Sequence, residues 1–228
     1  MCGRFNLRTS VAEIAQRFLP GIDRTSLPPW QPRYNIAPTQ SILCVLQPEV
    51  GQPRQLSLFR WGLVPSWADD VKIGNRMINA RSETAAEKPS FRAAWKSRRC
   101  LIPADGYYEW QKTAEGKQPY EINASDGSLL ALAGLWERND KADAGGQPLY
   151  SCTILTTAAN RFAAQIHDRM PVILRDDFID RWLDPSFRDP ELLHQATAAV
   201  DEGMLQMHPV SKRLNAVTNE GADLLNSN

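Results

Sequence analysis

Histidine, paired cysteines and an excess of charge of one sign are scarce or missing in this sequence. Its four cysteines form no CxxC pair and its three histidines do not fall at ligand spacing, which disfavours a zinc site. Basic and acidic residues balance at 26 each, so the global basic field of a non-specific nucleic-acid binder is absent. Any nucleic-acid contact must come from a local patch. We predict no metal and no cofactor.

Long apolar runs, internal repeats and low-complexity linkers are also missing. No run is long enough to span a bilayer and no signal peptide opens the chain, so we expect a cytoplasmic protein without a membrane segment. Hydrophobic residues make up 43% of the 228 residues, enough for a sizeable core. Since no linker marks a boundary, we predict a single domain over 1–228, and by default a monomer.

Hydrophobic periodicity predicts an α+β fold. Ser10 and Glu13 form a capping box before an apolar helical face at 11–19. The proline-rich stretch 25–38 is predicted to be an ordered irregular loop, and the runs at 42–46 and 56–65 a hairpin. Further helices are expected near 89–98, 160–165, 176–183 and 190–200, and further strands in CLIPADGYYEW, PYEINA, LLALAGLWE, YSCTILTT and PVIL.

These strands do not alternate regularly with long helices, which disfavours a doubly wound parallel sheet. We therefore predict a mixed or antiparallel, barrel-like sheet with flanking helices. Cys44, Cys100 and Cys152 each lie in an apolar run and are expected to be buried strand residues.

Cys2 is notable for its position. Removal of the initiator Met1 would leave an amine and a thiol on adjacent carbons. The amine can condense with an aldehyde to an imine, and the thiol can then close a five-membered thiazolidine. Alternatively the thiolate could attack an amide, with the amine as base. From position alone, an incidental cysteine in a buried first strand is the favoured explanation.

Three further segments differ from ordinary core sequence. In MINARSET, Asn79, Arg81 and Glu83 interrupt an apolar run. In DGYYEW, Glu109 lies between aromatic residues, where desolvation would raise its pKa and suit it to general acid–base work, unless it is a surface strand position. In IHDRMP, His167 stands beside two charged residues and is either catalytic or structural. The tryptophans of WGLVPSW could stack on a nucleobase or fill the core.

Taken together, ten segments in order resemble one family, that of the SOS-response-associated peptidases (SRAP). They span residues 2–211 and comprise MCGRF, RYNIAP, WGLVPSW, INARSET, FRAAWKSRRCLIPADGYYEW, PYEI, ALAGLWE, TILTTAAN, IHDRMPVIL and HPVS. The resemblance implies a protein that recognises abasic sites in single-stranded DNA, tolerates duplex on one side of the lesion, and forms a covalent thiazolidine crosslink that shields the lesion from strand cleavage.

The resemblance also implies site residues. Cys2 would be the nucleophile through both amine and thiol, and Asn79 would orient the sugar or that amine. Glu109 would move protons during ring opening and imine formation, and His167 would assist proton transfer near the sugar oxygen and flanking phosphate.

DNA contacts follow from the same resemblance. Phosphate ligands are expected at Arg4, Arg81 and Arg169, with a further hydrogen bond from Thr156. Trp67, Pro38 and Pro209 would shape the channel against the flanking bases. The family often carries a second aromatic residue beside Trp67, where this chain has Ala68.

Two other functions remain open at the level of sequence. A cysteine peptidase, acting on other chains or only on its own N-terminus, would use the same Cys2, Glu109 and His167. A non-covalent reader of modified bases would need the arginines and not the Cys2 thiol. The expected roles therefore include DNA damage response, lyase-like chemistry at abasic sites and hydrolysis of a peptide bond.

Overall fold

The computed structural model describes residues 2–22, 27–114, 116–142 and 146–227. Within these ranges the helices are α1 (Val11–Phe18), α2 (Ser82–Ala85), α3 (Arg92–Ser97), α4 (Asp176–Leu183) and α5 (Pro190–Ala196). The strands are β1 (Phe5–Leu7), β2 (Arg33–Ile36), β3 (Ser41–Leu46), β4 (Gln55–Trp61), β5 (Asn79–Arg81), β6 (Arg99–Ala104), β7 (Gly106–Thr113), β8 (Gly116–Ala124), β9 (Leu130–Asn139), β10 (Leu149–Ala158), β11 (Arg169–Pro171) and β12 (Leu205–Pro209).

One sheet closes on itself. Strands β4, β3, β6 and β9 are joined by antiparallel pairs, and β10 pairs antiparallel with β9 and parallel with β4. Because the first and last strands of this series both bond to β10, the five strands form a closed barrel with no free edge between them. The predicted α+β class with a mixed, barrel-like sheet is confirmed.

The barrel interior is filled by small and branched side chains. Cys44, Cys100 and Cys152 are fully buried there, as predicted, with their thiols close to one another. Gly134 of β9 leaves the room that these side chains need. A Cβ at this position would lie 2.3 Å from Ile102 Cδ1, 2.9 Å from the Thr153 carbonyl oxygen and 3.0 Å from Cys100 Sγ.

A second sheet packs beside the barrel. Its strand order is β12-β8-β7-β1-β2, with every pair antiparallel. Phe5 of this sheet meets Trp61 of the barrel edge to face, with ring centroids 5.3 Å apart. Both residues belong to one apolar core, which ties the two sheets together.

Strand β10 extends beyond the barrel. Its second half is flanked by β5, which pairs in parallel through Ile154, and by β11, which pairs antiparallel through Thr156 and Ala158. Residues far apart in sequence, around 79 and around 169, are thereby brought to the two edges of one strand.

Most sequence predictions of local structure hold. The Ser10–Glu13 capping box is formed, α4 has the predicted bounds, and Asp189 caps α5, which ends at Ala196 rather than 200. The predicted hairpin is formed by β3 and β4. Strand β4 ends at Trp61 because the chain turns at Gly62, whose φ is 122°.

Four predictions need correction. The loop 25–38 contains strand β2, held by pairing with β1, whereas residues 23–26 lie outside the described ranges. The segment CLIPADGYYEW forms two strands, β6 in the barrel and β7 in the second sheet. Between them, the Asp105 carboxylate accepts the main-chain N–H of Thr9 at 2.9 Å. Only Pro171 of PVIL is in a strand, and the helix expected at 160–165 is a 3₁₀ turn at Ala163–Gln165.

Replacing Gly134 by alanine should destabilise the protein. The added methyl group would press on the Thr153 carbonyl, which belongs to a paired strand and cannot move aside, so we expect a loss of about 1–3 kcal/mol in the free energy of unfolding. Urea denaturation measures this. Gly203→Ala is the matched control, because its Cβ would meet nothing within 4 Å. Equal stability of the two variants would contradict the packing described.

Candidate active site

Cys2 lies in the extended segment before β1 and is fully buried. Its carbonyl oxygen accepts a hydrogen bond from Asn79 Nδ2 at 2.8 Å, and the main-chain N–H of Arg4 donates to its sulfur. Burial raises the pKa of the Cys2 thiol far above its ordinary value, and the nearby negative charge of Glu109 raises it further. In the resting protein the sulfur is therefore a protonated thiol held in a fixed place.

Asn79 begins β5, where it stands opposite Ile154 of β10. Its Nδ2 donates to the Cys2 carbonyl, which leaves Oδ1 as the acceptor of this side chain. That oxygen is buried and accepts no hydrogen bond from any described residue. A bound molecule with a hydroxyl or amine could supply the missing donor, since a buried acceptor without one is costly.

Glu109 lies on β7 with only 5% of its surface exposed. Burial raises the pKa of this carboxyl, and the opposing effect of His167 lowers it less. A carboxyl with a raised pKa in a buried site can hold a proton at higher pH than a surface glutamate and release it to a reacting group. The expectation of a desolvated carboxylate is therefore supported by its position.

His167 follows the 3₁₀ turn Ala163–Gln165, and the main-chain N–H of Ala163 is capped by Asn160 Oδ1 at 2.9 Å. The main-chain N–H of Arg169 donates to His167 Nδ1 at 3.0 Å, and the Asp168 carboxylate lies 2.8 Å from the same nitrogen. These two contacts hold the Nδ1 edge of the imidazole in place.

The four predicted catalytic residues meet in space although they come from four separate segments. Asn79 hydrogen-bonds to Cys2, and Glu109 acts electrostatically on both Cys2 and His167. The group therefore combines a buried thiol, an amide, a carboxyl of raised pKa and an imidazole. Their catalytic roles stay predictions.

Two of the predicted phosphate ligands are engaged with the protein itself. Arg4 Nη1 donates to Asn35 Oδ1 at 2.5 Å and to the Leu214 carbonyl at 3.0 Å. Arg169 donates from Nη1 and Nη2 to the two carboxylate oxygens of Glu83, at 2.6 and 2.9 Å. To bind either guanidinium, a phosphate would have to replace these partners or use the N–H groups that these contacts leave unused. Their role as DNA ligands stays a prediction.

The remaining predicted DNA contacts differ in accessibility. Arg81 of β5 is exposed and available to a phosphate, whereas Thr156 is fully buried and its hydroxyl lies 3.3 Å from Arg169 Nη2. Trp67 is 51% exposed in the connection after β4, as a stacking residue would have to be. Pro38 is half-buried in the connection between β2 and β3, and Pro209 is exposed at the end of β12. Ala68 is buried, so it presents no stacking surface.

Sequence reasoning assigned no role to two residues that hold the arginines in place. Asn35 lies within the motif RYNIAP and donates from Nδ2 to the carbonyls of Ala216 and Asn219, which orients the oxygen that Arg4 contacts. Glu83 lies in INARSET and was noted only as a polar interruption. Both residues lie within motifs that carry the family resemblance, and this was the signal available in the sequence.

In the part of the chain that the structure describes, no group of three or more His, Cys, Asp or Glu side chains is placed to hold a metal ion. Among the described helices, none has the length and apolar character needed to cross a bilayer.

The site of this α+β protein thus combines a buried cysteine at position 2 with a carboxyl and an imidazole beside a mixed β-barrel. The chain belongs to the family described as SOS response associated peptidase (SRAP), whose family model matches residues 1–217. Its relatives include the abasic site processing protein YoqW of Bacillus subtilis, 43% identical over 230 residues and matched over 100% of both chains.

More distant relatives extend this likeness. The abasic site processing protein YedK of Escherichia coli is 32% identical and is matched over 99% of both chains. The abasic site processing protein HMCES of Gallus gallus is 34% identical over 99% of this chain and 77% of its own length. A crystal structure of a Bacteroides thetaiotaomicron protein covers 98% of both chains with a TM-score of 0.84 and 23% identity, and shows the same fold.

The raised pKa of Glu109 should appear in the pH dependence of stability. A folded carboxyl of raised pKa binds its proton more tightly than the unfolded chain does, so the free energy of unfolding falls as pH rises from about 4.3 through the folded pKa. Glutamine cannot ionise. We therefore expect Glu109→Gln to gain stability relative to the parent as pH rises over this range, measured by urea unfolding at several pH values.

The exposed Glu191 of α5 gives a matched control, since Glu191→Gln should show no such trend. A stability difference between Glu109→Gln and the parent that stays constant with pH would contradict the desolvation described.

Proposed function

We propose that this protein captures abasic sites in single-stranded DNA by forming a covalent thiazolidine with Cys2. The observation that carries the proposal is the buried, hydrogen-bonded Cys2 beside Glu109, in a chain whose relatives are named abasic site processing proteins. An abasic deoxyribose opens to an aldehyde, and an adjacent amine and thiol form the group that converts an aldehyde into a stable ring.

The reaction begins once Met1 has been removed. The α-amine of Cys2 attacks the aldehyde carbon, a C–N bond forms, and the carbonyl oxygen leaves as water to give an imine. The thiol then adds across the C=N bond, so that sulfur bonds to carbon and the proton passes to nitrogen. No oxidant or cofactor is consumed. The product remains covalently attached to the DNA strand.

The protein groups have separate tasks in this sequence. Glu109, whose pKa is raised, can donate its proton to the departing water. Its carboxylate can then accept the proton of the thiol as sulfur bonds to carbon. Asn79 fixes the Cys2 main chain and offers the buried Oδ1 to the amine or to a sugar hydroxyl. His167, whose Nδ1 edge is held by the main-chain N–H of Arg169, assists opening of the sugar and reversal of the crosslink.

Charge balance supports selectivity through chemistry rather than through DNA affinity. The chain has zero formal net charge, and Arg4 and Arg169 already contact protein acceptors. Arg81 and Trp67 remain exposed for a phosphate and a flanking base. Few phosphate contacts give weak binding to undamaged strands, so the covalent step selects the lesion.

Crosslinking should depend on the Cys2 thiol. With single-stranded DNA that carries one abasic site, we expect the parent protein to give a heat-stable band of reduced mobility on a denaturing gel. Cys2→Ala removes the group that closes the ring, so this band should be lost. Cys100→Ala is the matched control, because Cys100 is equally buried but lies inside the barrel, and it should crosslink like the parent.

Other outcomes separate the alternatives. Full crosslinking by Cys2→Ala, or by protein shown by mass spectrometry to retain Met1, would rule out the thiazolidine. Cys2-dependent cleavage of added peptides without a DNA adduct would favour a peptidase. Tight binding of modified DNA that survives loss of the thiol would favour a non-covalent reader.

Proton transfer by Glu109 should control the rate. Glu109→Gln keeps the shape of the side chain but cannot exchange a proton, so we expect crosslink formation to slow by about 10²-fold, a usual scale for a general acid–base residue. Quenched time courses on denaturing gels give the rate, with Glu191→Gln as control. A rate equal to that of the parent would remove Glu109 from the mechanism.

A further inference from the structure

An ion pair joins the two sides of the active site over β10. Glu83 lies in the first turn of α2, directly after the strand that holds Asn79. Arg169 begins β11 and is two residues from His167. Their side chains meet in two hydrogen bonds of 2.6 and 2.9 Å, one to each carboxylate oxygen. This fork-to-fork geometry fixes orientation as well as distance.

The strand beneath the pair is part of the same contact. Arg169 Nη2 also donates to the carbonyl oxygen of Thr156 in β10 at 2.6 Å. In register, Thr156 stands opposite Arg81 of β5 on one edge and Pro171 of β11 on the other. The guanidinium of Arg169, which belongs to β11, therefore bonds both to β10 and to α2, the helix that follows β5.

This connection matters because the flanking strands are short. Strands β5 and β11 have three residues each, so few main-chain hydrogen bonds set where each lies along β10. Asn79 depends on the first strand and His167 on the second. A side-chain bridge between their neighbours limits sliding of one relative to the other.

We propose that Glu83 is a positioning residue, which through Arg169 fixes His167 relative to Asn79 and Cys2 for the capture reaction. The inference rests on the proposed function for its reaction, but the geometry it concerns is independent of DNA. Arg169 has a second link to the site, since its own main-chain N–H donates to His167 Nδ1. Displacing this residue would disturb the position of the imidazole and the hydrogen bonding at its Nδ1.

The burial of the pair is consistent with this role. The Arg169 side chain is only 12% exposed, against 41% for Glu83. Hydrogen bonding from Arg169 lowers the pKa of Glu83, so the carboxylate stays charged over the range in which the protein would act. The carboxylate occupies the fork formed by Nη1 and Nη2, so a phosphate could bind that fork only by displacing it. In this structure the fork of Arg169 therefore serves as a clamp.

The test compares Glu83→Gln with Glu87→Gln, an exposed glutamate close by in the chain. Loss of the bidentate pair should slow crosslinking of an abasic oligonucleotide by about 10-fold to 100-fold, the scale of a small misplacement of catalytic groups. Affinity for an undamaged oligonucleotide should stay unchanged. The ¹⁵N shifts of the His167 imidazole should change in Glu83→Gln and not in the control.

A second variant separates positioning from phosphate binding. Arg169→Lys keeps the positive charge but cannot form the planar fork to Glu83 while reaching the Thr156 carbonyl. The clamp predicts a loss like that of Glu83→Gln, with the same change in the His167 spectrum. Thermal unfolding of each variant confirms that the comparison is made on folded protein.

Two results would overturn the proposal. In the first, Glu83→Gln matches Glu87→Gln both in crosslinking rate and in the His167 spectrum. In the second, Glu83→Gln binds undamaged DNA more tightly and crosslinks faster, which would make Glu83 a competitor of phosphate for Arg169. If the parent protein forms no crosslink, the proposed function fails, and the His167 spectra alone then decide whether the clamp exists.

Discussion

The hydrogen bonds of strand β10 are the constraint on which the rest of this structure depends. Its first half bonds to β9 and β4 and closes the barrel, and its second half bonds to β5 and β11. One strand thus belongs both to the barrel and to the candidate active site. Because the barrel half is surrounded by packed side chains, it gives the half that bonds to β5 and β11 a rigid base on which catalytic groups can be placed.

The active site is maintained at a cost in stability. A thiol and a carboxyl are buried together at Cys2 and Glu109, where desolvation raises the pKa of both. Asn79 adds a buried oxygen that has no donor in the described protein. Polar groups arranged in this way are unfavourable for folding alone, and their concentration at one place is typical of a site built for a ligand.

Three arginines of this protein hydrogen-bond to main-chain carbonyls within the fold. Arg99 is buried beneath α4, where burial lowers its pKa to about 10 and its guanidinium donates to carbonyls that include those of Trp182 and Asp184. Arg4 and Arg169 likewise contact protein oxygens beside the active site. These three arginines satisfy main-chain carbonyls, so the arginine content by itself gives little evidence of a broad DNA-binding surface.

The sequence by itself determined what depends on neighbouring residues: the helices α1, α4 and α5, the hairpin of β3 and β4, and the chemistry available at Cys2. Motif resemblance added the names of the catalytic residues. Tertiary structure decided the rest, because β10 pairs with strands from four separate segments and no local pattern encodes such partners. The same reason hid Glu83, whose partner Arg169 is 86 residues away.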